Sequence, residues 1–119
     1  MRDLTGFWSF SEEFEFGKKF GEARLFQNNE TIHGILVFKE YDEDGICIFV
    51  RCQLEGSFDG ATLVLKDVSH SVLIGGGDDL YLPEEREGTL NANGQIVGTV
   101  IDADNVAGVF VMQPTQFRY

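Results

Sequence analysis

One stretch of sequence decides the fold class: Asn93–Gln113, which reads NGQIVGTVIDADNVAGVFVMQ. Two apolar runs in it flank a short polar turn, and each run carries an apolar residue, one further residue and then glycine: Ile96-Val97-Gly98 and Val106-Ala107-Gly108. β-Branched and aromatic runs bounded by turn residues predict strands, and the leading Asn-Gly predicts a hairpin turn. Glycine inside a strand marks a bulge, a bend or a close backbone approach. The stretch therefore predicts a hairpin in a strongly coiled sheet.

The same apolar-x-Gly phrase recurs at Leu4-Thr5-Gly6, Ile32-His33-Gly34 and Leu54-Glu55-Gly56. Short spacers between the strand-like runs leave no room for helical crossovers, so neighbours along the chain are predicted to pair antiparallel. Recurrent glycines predict a sheet that closes on itself. We therefore expect one all-β domain over residues 1–119, a closed antiparallel up-and-down (meander) barrel of about eight strands. A two-sheet sandwich is the alternative, because it shows the same short alternating strands. The predicted strands are Thr5–Phe10, Glu22–Gln27, Thr31–Glu40, Gly45–Ser57, Ala61–Val68, Arg86–Asn91, Gln95–Asp102 and Asn105–Gln113.

Residues 69–85 break the regular spacing and contain Gly75-Gly76-Gly77. They predict a longer excursion with a short extra strand at Val72-Leu73-Ile74, and long loops in compact domains are commonly functional. Helical pieces are expected only near Ser11–Glu15 and Pro83–Arg86.

The composition restricts the class of protein. The 119 residues are 43% hydrophobic and include 11 Phe, which excludes intrinsic disorder. A formal charge of −11 disfavours nucleic acids and anionic membrane surfaces as partners. No apolar run approaches the roughly 20 residues that span a bilayer. Because Met1 leads almost directly into the first strand, we expect either a cytoplasmic protein or a mature form whose leader has been removed, and we favour the cytoplasm. Cys47 and Cys52 lie on opposite faces of one predicted strand and are expected to be free thiols.

Side-chain alternation assigns the glycine-bearing face to the interior, because that face carries apolar residues while His33, Arg51 and Glu55 point the other way. The interior is thus expected to offer no acid, base or nucleophile. A barrel of about eight strands is either just filled by its side chains or holds one small ligand, and both remain open. The residues expected to contact a ligand are Trp8, Phe10, Leu36, Phe38, Phe58, Phe110 and Met112.

The predicted outer face is less polar than water exposure favours, since it includes Phe7, Val37, Val97 and Val109. Exposed apolar patches of this size are usually covered. We expect a second copy of the chain to cover this one, giving a homo-oligomer; the 69–85 loop is the alternative cover.

The opening Leu4-Thr5-Gly6-Phe7-Trp8 resembles the first strand of the calycin barrels, in which lipocalins carry G-x-W and avidins carry L-x-G-x-W. This avidin-like and lipocalin-like resemblance implies a small meander barrel. Avidins place a biotin-contacting polar residue two positions after the Trp, where this chain has Phe10, and a hydroxyl-bearing residue where it has Leu36. The resemblance therefore implies the architecture without biotin binding.

Other constellations do not predict a site. Gly75-Gly76-Gly77 is not followed by lysine, so it does not form a phosphate loop. Asp42-Glu43-Asp44 and Asp102-Ala103-Asp104-Asn105 lack calcium-loop spacing and predict acidic turns. His33 and His70 have no partners at metal-binding spacing. We expect no metal, cofactor or catalytic residue.

Three functional hypotheses follow. The favoured one is a non-catalytic binding or accessory protein of lipocalin-like type that holds a small apolar ligand in the barrel. The alternative is a filled barrel that acts as a structural or protein-interaction module through its outer surface and the 69–85 loop. The third, less favoured, is an enzyme that uses residues of the barrel rim. Those rim residues are His70, Asp78, Asp79 and Tyr81.

Overall fold

Eight antiparallel strands follow one another around a closed barrel, in which β8 pairs with β1, in a computed structural model that describes residues 2–115. This confirms the predicted closed meander and excludes the sandwich. One turn of 3₁₀ helix, Asp78–Leu80, lies between β5 and β6. The strands are β1 (Gly6–Phe14), β2 (Gly17–Asn28), β3 (Thr31–Asp42), β4 (Cys47–Phe58), β5 (Thr62–Ile74), β6 (Glu84–Leu90), β7 (Ile96–Asp102) and β8 (Ala107–Pro114).

Glycine makes this closure possible where neighbouring strands approach most closely. A Cβ atom at Gly56 would overlap the backbone carbonyl oxygen of Val64 on β5, and one at Gly98 would overlap that of Glu87 on β6. No side chain fits in such a gap, and the same holds at Gly34 and Gly108, so four of the five copies of the phrase mark a close backbone approach. Gly6 is the exception: space is open around it, but its φ of 141° favours glycine.

One end of the barrel is closed by the N-terminal segment. Leu4 is fully buried, its backbone N–H donates to Gln27 Oε1 at 2.8 Å, and its carbonyl oxygen accepts from Trp8 Nε1 at 2.9 Å. The β1–β2, β3–β4 and β7–β8 turns lie at the opposite end, which we call the open end.

The acidic turns are structural, as predicted. Asp42 Oδ1 accepts backbone hydrogen bonds from Asp44 and Ile46 in the β3–β4 turn. Asp102 Oδ1 does the same for Asp104 and Val106 in the β7–β8 turn. An Asx side chain that satisfies two turn N–H groups stabilises the hairpin by itself.

The 69–85 region differs from its prediction. β5 continues to Ile74 without a break, so no separate short strand forms. It pairs with β6 only over Thr62–Lys66, and beyond that point the two strands separate towards the open end. Residues 75–83, which we call the flap, cross this gap and carry the 3₁₀ turn.

Both predicted helical pieces are wrong. Residues 11–14 extend β1, and β6 begins at Glu84. Both segments are strands, in which every second side chain points into the barrel. Charged side chains are among these, as described below. Within residues 2–115, no helix is long and apolar enough to cross a membrane.

The outer face carries the apolar residues assigned to it. Phe7, Val37, Val97, Ile101 and Val109 are all exposed. Val97 lies opposite Val111, and Ile101 opposite Ala107, so an apolar stripe runs along the outside of β7 and β8.

Candidate functional site

A group of ionisable side chains lies inside the open half of the barrel. Glu12, Lys19 and Arg86 are each 1% exposed and Glu84 is 6% exposed. The expectation of an interior without acid or base is therefore wrong, because alternation continues along β1, β2 and β6 past the apolar residues and turns these side chains inward. We call this group the charged cluster, and its members are Glu12, Lys19, Glu40, Asp67, Tyr81, Glu84 and Arg86.

The ammonium group of Lys19 is shared among three carboxyl groups. Its Nζ lies 3.0 Å from Glu12 Oε2, 2.5 Å from Glu84 Oε1 and 3.4 Å from Glu40 Oε1. It also lies 5.1 Å from the ring centroid of Phe38. Burial lowers the pKa of Lys19, but the three carboxyl groups outweigh burial and raise that pKa above its usual value. Lys19 is therefore a fixed cation.

Arg86 is the second fixed cation of the charged cluster. Its Nη1 donates to Asp67 Oδ1 at 2.8 Å and its Nη2 to Glu84 Oε1 at 2.9 Å. The hydroxyl of Tyr81 donates to Asp67 Oδ2, and the backbone N–H of Glu84 donates to that same oxygen at 2.9 Å. The guanidinium carbon lies 5.3 Å from the ring centroid of Phe10. Burial lowers the pKa of Arg86, yet the acidic neighbours, Asp67 foremost, raise it well above its usual value.

Glu12 is the least well-compensated member. Its Oε2 lies 3.0 Å from Lys19 Nζ and its Oε1 lies 3.5 Å from Arg86 Nε, but among the described residues neither oxygen has a partner with hydrogen-bond geometry. Burial raises the pKa of Glu12 to about 7; Lys19 lowers it and the Glu84 carboxylate raises it. A carboxyl group with this pKa gains and loses its proton near neutral pH.

A pocket of about 110 Å³ opens onto the charged cluster at the open end. Its polar lining comes from the cluster and from the β7–β8 turn, and its apolar lining from β1, from the residue before β8 and from the flap. The lining residues are Phe14, Lys19, Glu40, Leu80, Leu82, Glu84, Asp102, Val106 and Gly108.

Exposed apolar side chains lie at the open end of the barrel, and two of them, Leu80 and Leu82, line this pocket. Phe16 is in the β1–β2 turn, Ile46 in the β3–β4 turn and Ile74 at the end of β5, while Leu80 and Leu82 are in the flap. Their exposed fractions run from 39% to 66%. Apolar surface gathered at the mouth of a polar pocket is typical of a binding site for amphipathic molecules.

The flap is held over the gap between β5 and β6 by three contacts. His70 Nε2 lies 2.8 Å from the carbonyl oxygen of Asp78, and the backbone N–H of Val72 donates to Asp78 Oδ1 at 2.8 Å. Tyr81 inserts into the barrel, and its ring packs 5.1 Å from that of His70. Of the four predicted rim residues, His70, Asp78 and Tyr81 come together in this anchor, whereas Asp79 takes part in none of these three contacts.

All seven predicted ligand contacts lie in the buried core. Phe10 packs against Phe38 and Phe110, with ring centroids 6.4 and 6.3 Å apart, directly beneath the charged cluster. None of the seven lines any of the pockets described for residues 2–115. The full set, each at most 3% exposed, is Trp8, Phe10, Leu36, Phe38, Phe58, Phe110 and Met112.

Sequence reasoning missed the charged cluster, although one signal for it is present. Glu12 lies opposite Lys19, and Glu13 opposite Lys18, across the β1–β2 hairpin. An acidic pair facing a basic pair across a short turn forms two complementary pairs in this register, whereas a shift by one residue leaves only one. Because side chains alternate along a strand, Glu12 and Lys19 then point into the barrel, while Glu13 and Lys18 point outward.

Within residues 2–115, no group of three or more His, Cys, Asp or Glu side chains has the arrangement needed to hold a metal ion. The cluster instead offers fixed cations, carboxylates and one carboxyl group that titrates near neutral pH.

No protein-family model and no curated protein matches this chain. Solved structures of designed barrels do. The chain is similar to a redesigned β-barrel, mFAP1, solved with DFHBI bound, with a TM-score of 0.64, 13% identity and 94% of each chain covered. It is also similar to EF1p2_mFAP2b bound to DFHBI (TM-score 0.60, 14% identity, 94% of each chain). A third similar structure comes from the de novo design of a fluorescence-activating β-barrel (TM-score 0.56, 15% identity, 97% of this chain and 100% of that one). At these identities the likeness shows the fold alone, which is consistent with a calycin-like architecture.

Proposed function

We propose that this protein binds a small molecule, without catalysis, in the pocket at the open end of the barrel. The observation that carries the proposal is the charged cluster beneath that pocket. The closed half shows that apolar side chains can fill this barrel, as Leu4, Leu25, Ile32 and Phe58 do with no exposed surface. Buried charges cost several kcal/mol each in desolvation, and groups that violate the burial rule commonly belong to functional sites.

The pocket favours an amphipathic ligand. Its floor is polar, through Lys19, Glu40 and Glu84, whereas Leu80 and Leu82 form an apolar side. Its volume of about 110 Å³ is below the range of about 300–1,000 Å³ typical of drug-sized ligands. The pocket therefore takes the polar head of a ligand, and the apolar remainder lies along the exposed rim.

The predicted contacts deeper in the barrel remain a separate prediction. Phe10 and Phe38 lie against Arg86 and Lys19 and would support the floor of the pocket from below. Direct contact between these rings and a ligand requires the ligand to pass the charged cluster.

The test compares two Val→Trp variants. Val106 lines the pocket, so Val106→Trp fills it, whereas Val37→Trp places the same side chain on the outside of β3. We would titrate each with the neutral apolar dye Nile red and record native mass spectra of the protein as purified. We expect dye binding, and any co-purified small molecule, in the wild type and Val37→Trp but not in Val106→Trp. Equal binding in all three proteins, or none in the wild type, contradicts the proposal.

A second candidate function is self-association through the outer face. The apolar stripe on β7 and β8 supports it, since Val97 and Val109 are 43% and 54% exposed. A homo-oligomer formed there should dissociate when both residues are changed to glutamate. Light scattering tests this: a wild type that is monomeric at all concentrations removes the candidate.

A further inference from the structure

The pocket has more acidic than basic groups. Of its ionisable lining residues, only Lys19 is a cation, while Glu40, Glu84 and Asp102 are acids. Lys19 is already shared with Glu84 at 2.5 Å, with Glu40 at 3.4 Å and with Glu12 below the pocket at 3.0 Å. Arg86, which does not line the pocket, also pairs with Glu84 at 2.9 Å and with Asp67 at 2.8 Å. Two cations thus serve the four carboxyl groups of the cluster, and Asp102 adds a further carboxyl group to the pocket lining.

Three carboxyl groups, those of Glu40, Glu84 and Asp102, line the same pocket. Burial raises the pKa of Glu40, Lys19 lowers it, and Glu84 and Asp102 raise it further. Asp102 Oδ1 is held by two backbone N–H groups, at 2.8 and 2.9 Å, and among residues 2–115 no lysine or arginine forms an ion pair with this side chain. A ligand with positive charge relieves this repulsion, whereas an anion increases it.

The buried floor also has unused hydrogen-bonding capacity. Both carboxyl oxygens of Glu12 lack a hydrogen-bond partner among the described residues although the side chain is fully buried. Native structures rarely leave buried polar groups unsatisfied, and each such group calls for an explanation such as a functional role or a bound water or ion. Glu12 does not line the pocket itself but contacts Lys19, which does.

We propose that the ligand is an organic monocation, a primary amine with an apolar body. This narrower proposal rests on the proposed binding function. The ligand's ammonium group donates hydrogen bonds to Glu40, Glu84 and Asp102, and its apolar body packs on Leu80 and Leu82. An ammonium group fits better than a divalent metal, because calcium needs six to eight oxygen ligands. Within residues 2–115, no set of three or more His, Cys, Asp or Glu side chains is arranged to hold a metal ion.

The experiment uses three probes with the same chain and different heads: hexylamine, hexan-1-ol and hexanoate, each measured by calorimetric titration. The pocket variant is Glu40→Gln with Asp102→Asn, in which the Asn keeps an oxygen for the turn N–H groups. The matched control is Glu30→Gln with Glu55→Gln, which removes the same charge from exposed positions outside the pocket.

We expect hexylamine to bind at least about tenfold more tightly than hexan-1-ol, and hexanoate to bind most weakly. The pocket variant should lose about tenfold or more in hexylamine affinity, while the control changes it less than about threefold. If hexan-1-ol or hexanoate binds as tightly as hexylamine, and Val106→Trp abolishes that binding, the amine class is wrong and the binding function stands. If Val106→Trp leaves hexylamine binding unchanged, the site lies elsewhere and both proposals are overturned.

Discussion

Lys19 and Glu84 form an ion pair across the inside of the barrel, with Nζ and Oε1 2.5 Å apart. Their strands, β2 and β6, lie on opposite sides of the eight-strand ring. The pair is almost fully buried, with side-chain exposures of 2% and 7%. It therefore couples the polar floor of the pocket to the closure of the barrel, and changes to it should alter both stability and binding.

Removal of the Lys19 charge should be strongly destabilising. Lys19→Met keeps most of the side-chain volume but removes the closest cation of both Glu12 and Glu84 and leaves them only Arg86. Breaking a buried ion pair in this way costs about 3–5 kcal/mol. Urea denaturation followed by Trp8 fluorescence measures the loss.

Lys66→Met is the control for that substitution. Lys66 pairs with Glu85 at 3.4 Å, but both side chains are more than half exposed. Exposed pairs contribute at most about 1 kcal/mol, so the control should be nearly neutral. A similar decrease in the free energy of unfolding in Lys19→Met and Lys66→Met would show that the cluster does not depend on Lys19 for charge balance.

The stability of the fold should fall as pH rises towards and past neutrality. The pKa of Glu12 is 4.5 in an ordinary environment and about 7 in the folded protein. The folded state therefore binds more protons than the unfolded state between these values, and the free energy of unfolding decreases as pH rises through that window. Glu40, whose pKa is also raised, acts in the same direction.

Glu12→Gln, which mimics the protonated form, should remove most of this pH dependence. Between about pH 5 and about pH 8, the free energy of unfolding of the wild type should fall by up to about 3 kcal/mol more than that of Glu12→Gln. Urea denaturation across this range measures it, with Glu30→Gln as the exposed control. An unchanged slope in Glu12→Gln would mean that Glu12 is ionised throughout.

The barrel could be predicted from the sequence because its determinants are local. Turn dipeptides, strand alternation and the recurrent glycines lie within a few residues of one another, as in Ile96-Val97-Gly98 and its neighbour Val106-Ala107-Gly108. These features give strand order, direction and the inward face. They also place the apolar core correctly, from Trp8 on β1 to Met112 on β8.

The charged cluster could not be predicted in the same way, because it depends on contacts across the barrel. Glu12 and Lys19 are near in sequence, but Glu84 and Arg86 reach them only after the sheet has closed. Burial statistics place each of these residue types outside when it is considered alone. What keeps them inside is mutual pairing, and sequence periodicity carries no information on pairing between distant strands.

Gly56 should be among the residues least tolerant of substitution. A Cβ atom there would overlap the backbone carbonyl oxygen of Val64, and a backbone pair in a closed sheet cannot move apart locally. Gly56→Ala is expected to cost more than about 3 kcal/mol, in the range of severe overpacking. In Gly77→Ala, by contrast, the new methyl group meets only the mobile end of the Asp79 side chain, so its cost should be below about 1 kcal/mol. Thermal denaturation of both variants decides; comparable melting temperatures would contradict the role assigned to Gly56.

The two cysteines should differ sharply in reactivity. Both are free thiols, as predicted, but Cys52 is fully buried and Cys47 only partly so. Burial, followed by the charge of Asp67, raises the pKa of Cys52 to about 12, and the thiolate is the reactive form. A thiol reagent at about pH 8 should therefore modify Cys47 alone in the native protein and both residues in urea.

Mass spectrometry of the modified protein measures this, and Cys47→Ser should then show no native modification. Because Cys52 lies in the same layer of the core as Leu36, its opposite residue on β3, modification there requires the barrel to open. The rate at which Cys52 reacts in the native protein thus reports barrel opening directly. A ligand that binds only the closed barrel should slow that rate in proportion to its occupancy, whereas a molecule that does not bind would leave it unchanged.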